Sequence, residues 1–392
     1  MSDILVPTAL VQHPTRFGGA MTGDCLRGIP VIDKGRLVGL RDPAGTAPQM
    51  IIPALVEPHC HLDKCHTIHR LGQVGGDLTH AIQCQWNDKI NWTEDDIRTR
   101  ATKGLAEAHA NGCHLIRSHV DWGDAVAPPL SWSVLNDLAG DMPGLQLAAL
   151  IGIGKLADAG FADHIGQTLA RTGGVLGAFV LGHDTMLNGL EHAFATAQRH
   201  DLMLDFHVDE GLGGHNGLEA IADMARATKF ARPILCGHAV SLMDRGQDDF
   251  DRIADKCAHA GITVCTLPAT NLYLQGRTRG TPDRRGITRV RELRAAGVAV
   301  VVGSDNVADA FCPLGQHDPR AALALACVSA HLDPPLGDWL RAITTDAAAA
   351  LGHAPAFMDG ALLSDLRSCD AVHTADLISG RTALRPATET LA

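Results

Sequence analysis

Eight short apolar runs, each followed by a longer amphipathic segment, set the rhythm of the chain: 51–56, 114–120, 145–151, 175–181, 203–208, 233–238, 262–267 and 298–304. The runs are almost uniformly apolar, as in LQLAALI (145–151), ITVCTL (262–267) and VAVVVG (298–303). Strands read this way when helices cover a parallel sheet, because neither face then meets water. The segments between them carry helix signals. Thr93, with Asp96 three residues later, opens one that ends at Asn111-Gly112, and others open near Asn188, Asn216 and Thr288. Eightfold alternation predicts the α/β class and a closed parallel (β/α)8 TIM barrel; a doubly wound open sheet gives the same alternation and is the competing arrangement.

The two ends break the rhythm. Residues 1–50 are rich in Gly and Pro with short strand-like pieces such as RLVGL (36–40), and the tail after about 355 behaves similarly. We expect 1–50 and 355–392 to form a small β domain beside a barrel spanning 51–354. A barrel takes about 250 residues, so 392 residues accommodate one barrel and a minor appendage.

Composition narrows the partners. The chain is 46% hydrophobic, 20% charged and only 4% aromatic, with a net charge of −11 spread without long runs. That balance argues against nucleic acid and for small, weakly charged ligands. The N-terminal MSDILVPTALVQHPTRF has no basic segment leading into an apolar run, and no stretch approaches about 18 uncharged apolar residues, so no membrane partner and a cytoplasmic location are expected. Eleven scattered cysteines with no C-x-x-C pair read as reduced thiols.

The polar residues worth explaining follow the predicted strands, where the βα loops of a barrel build its active site. The first run leads into Glu57-Pro58-His59-Cys60-His61-Leu62-Asp63. Residues i and i+2 of an extended segment project to one side, so His59 and His61 can reach one metal, although in a chain with 21 histidines they also read as ordinary loop residues. The fifth run ends in Asp205-Phe206-His207-Val208-Asp209-Glu210, the sixth in Cys236-Gly237-His238, and the eighth in Gly303-Ser304-Asp305-Asn306. Taken singly, His238 could be a core histidine and Asp305 a helix cap. Four separate strands delivering ligand-type residues at the same end point instead to a metal centre, since a carboxylate ending so apolar a strand needs a cation. There is no H-E-x-x-H, no P-C-x-x-C and no G-x-x-x-x-G-K-[ST], which removes the helical metalloprotease, cysteine-ligated deaminase and P-loop alternatives.

VEPHCHLDK (56–64), DFHVDE (205–210), GHAVSL (237–242), LQGR (274–277), RRGITRV (284–290) and GSDNVADAFCPLG (303–315) occur in the order found in one family. From about residue 50 to 330 the chain resembles the amidohydrolase superfamily, and within it the cytosine deaminase branch. The resemblance implies one divalent metal, zinc or iron, held by His59, His61, His207 and Asp305. It assigns catalysis to Glu210 as proton-transferring acid/base, with His238 and Asp305 orienting the metal's water. The fourth run ends in Leu181-Gly182-His183 with no lysine to be carboxylated, so a two-metal site is not expected. The implied activity is hydrolytic deamination of cytosine or a related amino-substituted nitrogen heterocycle, with release of ammonia. An N-alkylamine or cyclic-amide hydrolase of the N-isopropylammelide hydrolase type is the second reading, and a non-catalytic binding barrel the third. The resemblance leaves room for a homo-oligomer.

Two departures bear on the substrate. Where cytosine deaminases carry a glutamine after the third strand, this chain has Leu150-Ile151-Gly152-Ile153-Gly154, so Gly152 or a neighbour replaces the group that reads the pyrimidine edge. Asn306 follows the metal aspartate where those enzymes have a second aspartate, as in the N-isopropylammelide hydrolase relatives. Gly152, Gln275, Asn306 and Phe311 are therefore the expected substrate-binding residues, with Gln275 and Arg277 on a long loop able to close over the pocket. Lys64 can donate to a substrate carbonyl or carboxylate, but reads first as a solvated loop lysine.

Overall fold

The computed structural model describes residues 2–282 and 284–391. Eight strands follow one another around a single sheet in chain order: Leu55–Cys60, Cys113–Asp121, Leu145–Gly152, Val175–Val180, Leu204–Val208, Ile234–His238, Thr263–Thr266 and Ala299–Val302. Every consecutive pair is parallel. The ring closes where Asp305 bridges Cys60 and its N–H donates to the His59 carbonyl at 2.9 Å. The expected (β/α)8 barrel is thus the observed fold, and the doubly wound alternative is removed because the strand order never reverses.

The terminal segments build a second, mixed sheet of eight strands. Ile4–Pro7 pairs in parallel with Gln49–Pro53 and antiparallel with Cys25–Asp33, and Leu366–Cys369 from the C-terminal segment lies antiparallel on Gln49–Pro53. The apolar run expected to open the barrel at 51 is therefore two strands. Gln49–Pro53 belongs to the terminal sheet, Ala54 donates to Asp365 O at 2.8 Å, and Leu55 enters the barrel by donating to Gly112 O at 3.0 Å.

Helix Glu94–Ala110 starts where its cap predicts, with Thr93 Oγ1 accepting from Asp96 N at 3.2 Å, and Met186–His200, Gly217–Thr228 and Val290–Ala295 lie at the other expected starts. Helix Leu78–Asp88, capped by Asp77, was not anticipated from the pattern. Among the described residues no helix is long and apolar enough to cross a membrane, and all eleven cysteines are free.

Side chains two apart on each barrel strand share its interior face. Val56, Leu115, Leu235, Cys265 and Val301 pack with Ala347, Ala348 and Ala350 into an apolar plug near the strands' N-terminal ends. One layer further on, Arg117 and Asp205 form a fully buried ion pair at 3.0 Å. The next layer holds the histidines.

Candidate metal centre and active site

Three imidazoles and a carboxylate converge at the C-terminal ends of the barrel strands. His207 Nε2 lies 3.1 Å from both His59 Nε2 and His61 Nε2, and Asp305 Oδ1 lies 3.5 Å from His59 Nε2 and 3.3 Å from His61 Nε2. All four residues are buried, and neither Asp305 oxygen has a hydrogen-bond partner among the described residues. A buried carboxylate facing imidazole nitrogens, without donors of its own, calls for a cation. Spacings of this size are those of atoms sharing one small divalent ion with bonds of about 2.0–2.2 Å. The residues fit a metal.

The backbone is shaped for this convergence. Asp305 adopts a left-handed φ of 61° and His238 one of 71°, strained conformations for side-chain-bearing residues. A Cβ on Gly237 would lie 2.8 Å from His59 Cε1, and one on Gly303 would lie 2.9 Å from the His59 carbonyl oxygen, so Gly237 makes room for the His59 imidazole and Gly303 for its backbone. Glu57 ties the first strand to the eighth by accepting from His59 N at 3.1 Å and from the Ser304 N–H and hydroxyl. Burial, against those donors, pushes its carboxyl up to about 7.

Beneath the four lies His119, which the sequence reading did not single out although it shares a strand face with Arg117. Its ring centroid is 4.0 Å from that of His59, and its Nε2 is 3.0 Å from Asp205 Oδ1, a charge contact off the hydrogen-bond line. His119 could take part in the ligand shell: its ring nitrogens group with those of His59, His61 and His207.

Glu210 and His238 face the cluster from the fifth and sixth strands. His238 Nδ1 pairs with Asn271 Oδ1 at 2.9 Å, which leaves Nε2 free, 3.5 Å from Glu210 Oε2. Burial lowers His238 to about 4, so it is neutral at pH 7. Burial, then the Asp305 charge, pushes the Glu210 carboxyl well above the usual carboxylate range, so it can carry a proton at neutral pH. A neutral imidazole beside a protonated carboxyl is an arrangement for moving protons.

A cavity of about 290 Å³ opens onto this group, and Gly152, Asn306 and Phe311 line it. Gln275 does not: its amide donates to the Glu210 carbonyl at 2.8 Å. Arg277 stacks on Tyr273, 4.5 Å from the ring centre, and donates to Gly75 O. Lys64 is not the solvated loop lysine expected. It is buried in the cavity wall, 2.7 Å from Asp121 Oδ1 and 5.1 Å from the Phe311 ring centre. Although burial opposes it, Asp121 and Asp63 hold its ammonium charged. Helix Leu78–Asp88 supplies an outer wall of Leu78, Ile82, Gln85 and Trp86 that the sequence reading missed; apolar positions 78, 81 and 82 behind an Asp77 cap were the available signal.

Residues 154–354 match the model of the amidohydrolase family. The chain is similar to a pterin deaminase of Rhizobium rhizogenes (strain K84 / ATCC BAA-868), 32% identical over 370 residues that cover 90% of this chain and 83% of that protein. It is 21% identical over 368 residues to an N-isopropylammelide isopropyl amidohydrolase of Pseudomonas sp. (strain ADP), covering 89% and 86% of the two chains. The crystal structure of 5-methylcytosine deaminase from Klebsiella pneumoniae liganded with 5-fluorocytosine superimposes with a TM-score of 0.78 at 23% identity, over 97% of this chain and 94% of that one. At that identity the superposition establishes the fold.

Proposed function

The chain belongs to the amidohydrolase family, and we propose that within it this protein is a single-metal hydrolase that removes the exocyclic amino group of a nitrogen heterocycle. The observation that carries the reading is Glu210 and His238 set 3.5 Å apart against the converging His59, His61, His207 and Asp305, the last three of which line the cavity. Residues 55–354 are the catalytic unit in this reading, because 51–53 belong to the terminal sheet.

Three imidazoles with one carboxylate suit zinc or ferrous iron. Such an ion would supply Lewis acidity and a water ionised near neutral pH. The protein's own groups manage the protons. The proton on Glu210 is one that the attacking water has given up; as the oxygen adds to the amino-bearing ring carbon, Glu210 gives that proton to the adjacent ring nitrogen and then takes the remaining O–H proton of the adduct. Neutral His238, held by Asn271, orients the oxygen through Nε2. Glu210 then moves a proton to the amino nitrogen, the C–N bond breaks, and ammonia leaves an oxo heterocycle.

The substrate reading follows the cavity. A Cβ built on Gly152 would meet nothing within 4 Å, so the space between the third strand and helix Leu78–Asp88 is unfilled where a pyrimidine-reading side chain would stand. That space, the apolar wall beyond it and the relative named as a pterin deaminase support a fused two-ring aminoheterocycle of the pterin class over a lone pyrimidine. Asn306 and Phe311 contact the ring, Gly152 leaves room for it, and Gln275 supports the acid/base from behind.

Ammonia release by zinc- or iron-loaded protein, with a chelated control, tests the reading across pterin, cytosine, isocytosine, 5-methylcytosine, aminotriazines and aminopurines. Metal-dependent ammonia, fastest from pterin, is expected. Silence from all of them with metal bound, and alkylamine release from N-alkylated triazines, would replace it with the N-isopropylammelide type of reaction.

A further inference from the structure

Away from the barrel mouth, Cys65, His66 and His317 bring a thiol and two imidazoles together, their ligand atoms all within 4.8 Å of one another. Glu107 adds a carboxylate, Oε2 lying 3.1 Å from His66 Nε2. Three segments meet here: the loop after the first barrel strand, helix Glu94–Ala110, and the loop that follows Asp305.

His317 gives the cluster its meaning. The ring is buried, yet neither Nδ1 nor Nε2 has a hydrogen-bond partner among the described residues. Buried polar atoms are nearly always satisfied, and an orphaned pair on one ring points to an ion. The ring is also deliberately accommodated: a Cβ on Gly104, inside the helix, would lie 2.8 Å from His317 Nε2. Glycine weakens a helix interior, so its use here marks a close approach the fold maintains. His66 holds a left-handed φ of 59°, with its N–H donating to Val307 O at 3.1 Å. The Cys65 thiol donates to the carbonyls of Leu62 and Arg100 at 3.5 Å, weak bonds that it gives up on binding an ion.

We propose that Cys65, His66 and His317, with Glu107 completing the shell, form a second, structural site for a zinc-class divalent ion, separate from the barrel-mouth centre. Sulfur, two imidazoles and a carboxylate are a borderline-soft donor set that selects zinc over magnesium or calcium. Uptake releases the Cys65 thiol proton, and half-buried His66 rotates to close the shell, with Glu107 on the solvent side as the way in. The ion ties the loop carrying His61 to the loop following Asp305, bracing the two segments that supply primary ligands.

Metal per chain and the cobalt(II) spectrum test the site without reference to turnover. Wild-type protein loaded with zinc is expected to hold two equivalents, and Cys65→Ser and His66→Ala one each. Loaded with cobalt(II), wild type shows a thiolate-to-metal charge-transfer band that Cys65→Ser loses and Cys60→Ser keeps. One equivalent in wild type without a thiolate band, or two equivalents that persist in both variants, overturns the proposal. Neither result bears on whether the barrel mouth deaminates.

Discussion

Gln275 donates its side-chain amide to the backbone carbonyl of Glu210 at 2.8 Å, so a residue of the seventh βα loop holds Glu210 in place from behind. The same loop is locked by close backbone approach: a Cβ on Gly286 would lie 2.2 Å from Gln275 Cβ, and one on Gly276 would lie 2.1 Å from the Arg284 carbonyl oxygen. LQGR and RRGITRV are therefore two halves of one support. Gln275→Ala should lower kcat about tenfold, equivalent to about 1.4 kcal/mol, with KM and metal content nearly unchanged. A rise in KM with kcat intact would instead make Gln275 a substrate contact, as the sequence reading had it.

Glu210→Gln keeps the shape of the side chain and removes its proton chemistry. We expect kcat to fall by about 10²–10⁴ while the metal stays bound, because Glu210 is not among the four converging ligands. Steady-state rates beside metal analysis on the same preparation check this; unchanged turnover would sink the mechanism.

Gly152→Gln restores a side chain where nothing lies within 4 Å of the would-be Cβ, so folding should be undisturbed. The new amide fills space that a second ring would occupy and offers hydrogen bonds to a pyrimidine edge. The ratio of kcat/KM for pterin over cytosine should drop by about tenfold or more. Equal losses on both substrates would show that the space beside Gly152 does not select between them.

The strand-end residues were legible because each lies inside, or within five positions of, an apolar run whose end the sequence displays, and because a barrel gathers all such ends at one mouth. His59, His61, His207, Glu210, His238 and Asp305 were found that way, and the structure brings them together. What escaped depends on distant partners. Lys64 looks like any loop lysine until the fold brings Asp121, 57 positions away, within 2.7 Å. Gln275 faces Glu210 across 65 positions. The division of the first apolar run could not be read from hydropathy, because Gln49–Pro53 and Leu55–Cys60 are both buried and differ only in which sheet they join.

In the metal-free protein the buried histidines make acid destabilising, against the raised carboxyls of Glu57 and Glu210, whose protonation in the folded state acts in the opposite sense. Burial lowers His61 and His317 to about 3 and His119 and His238 to about 4, all below the ordinary 6.5. A depressed folded-state value means the native state favours neutral rings, so this stability is complete above about 6.5 and drains away as pH falls toward 3–4. Each ring contributes up to about 1.4 kcal/mol per pH unit within that window. Between pH 7 and 5 the urea midpoint of chelated wild type should lose ground relative to that of chelated His317→Gln, which lacks one such ring; parallel curves for the two proteins would remove His317 from the account.

Arg117 and Asp205 sit fully buried under the histidines, paired at 3.0 Å, with Arg117 also donating to Gln146 Oε1 at 2.8 and 3.2 Å. Burying two charges is costly, and a hydrophobic pair of the same volume often serves a fold as well, but removing one partner strands the other in a medium that cannot solvate it. Arg117→Met leaves the Asp205 carboxylate with only the His119 contact, and Asp205→Asn leaves an unmatched guanidinium. Each single change should cost about 3–5 kcal/mol in unfolding free energy. The double variant should recover a large part of the summed loss, because no uncompensated charge remains. Denaturant unfolding of all four proteins gives the coupling directly. Coupling near zero would mean that water or His119 already satisfies whichever charge is left, and that the ion pair is not what holds the floor of the metal site.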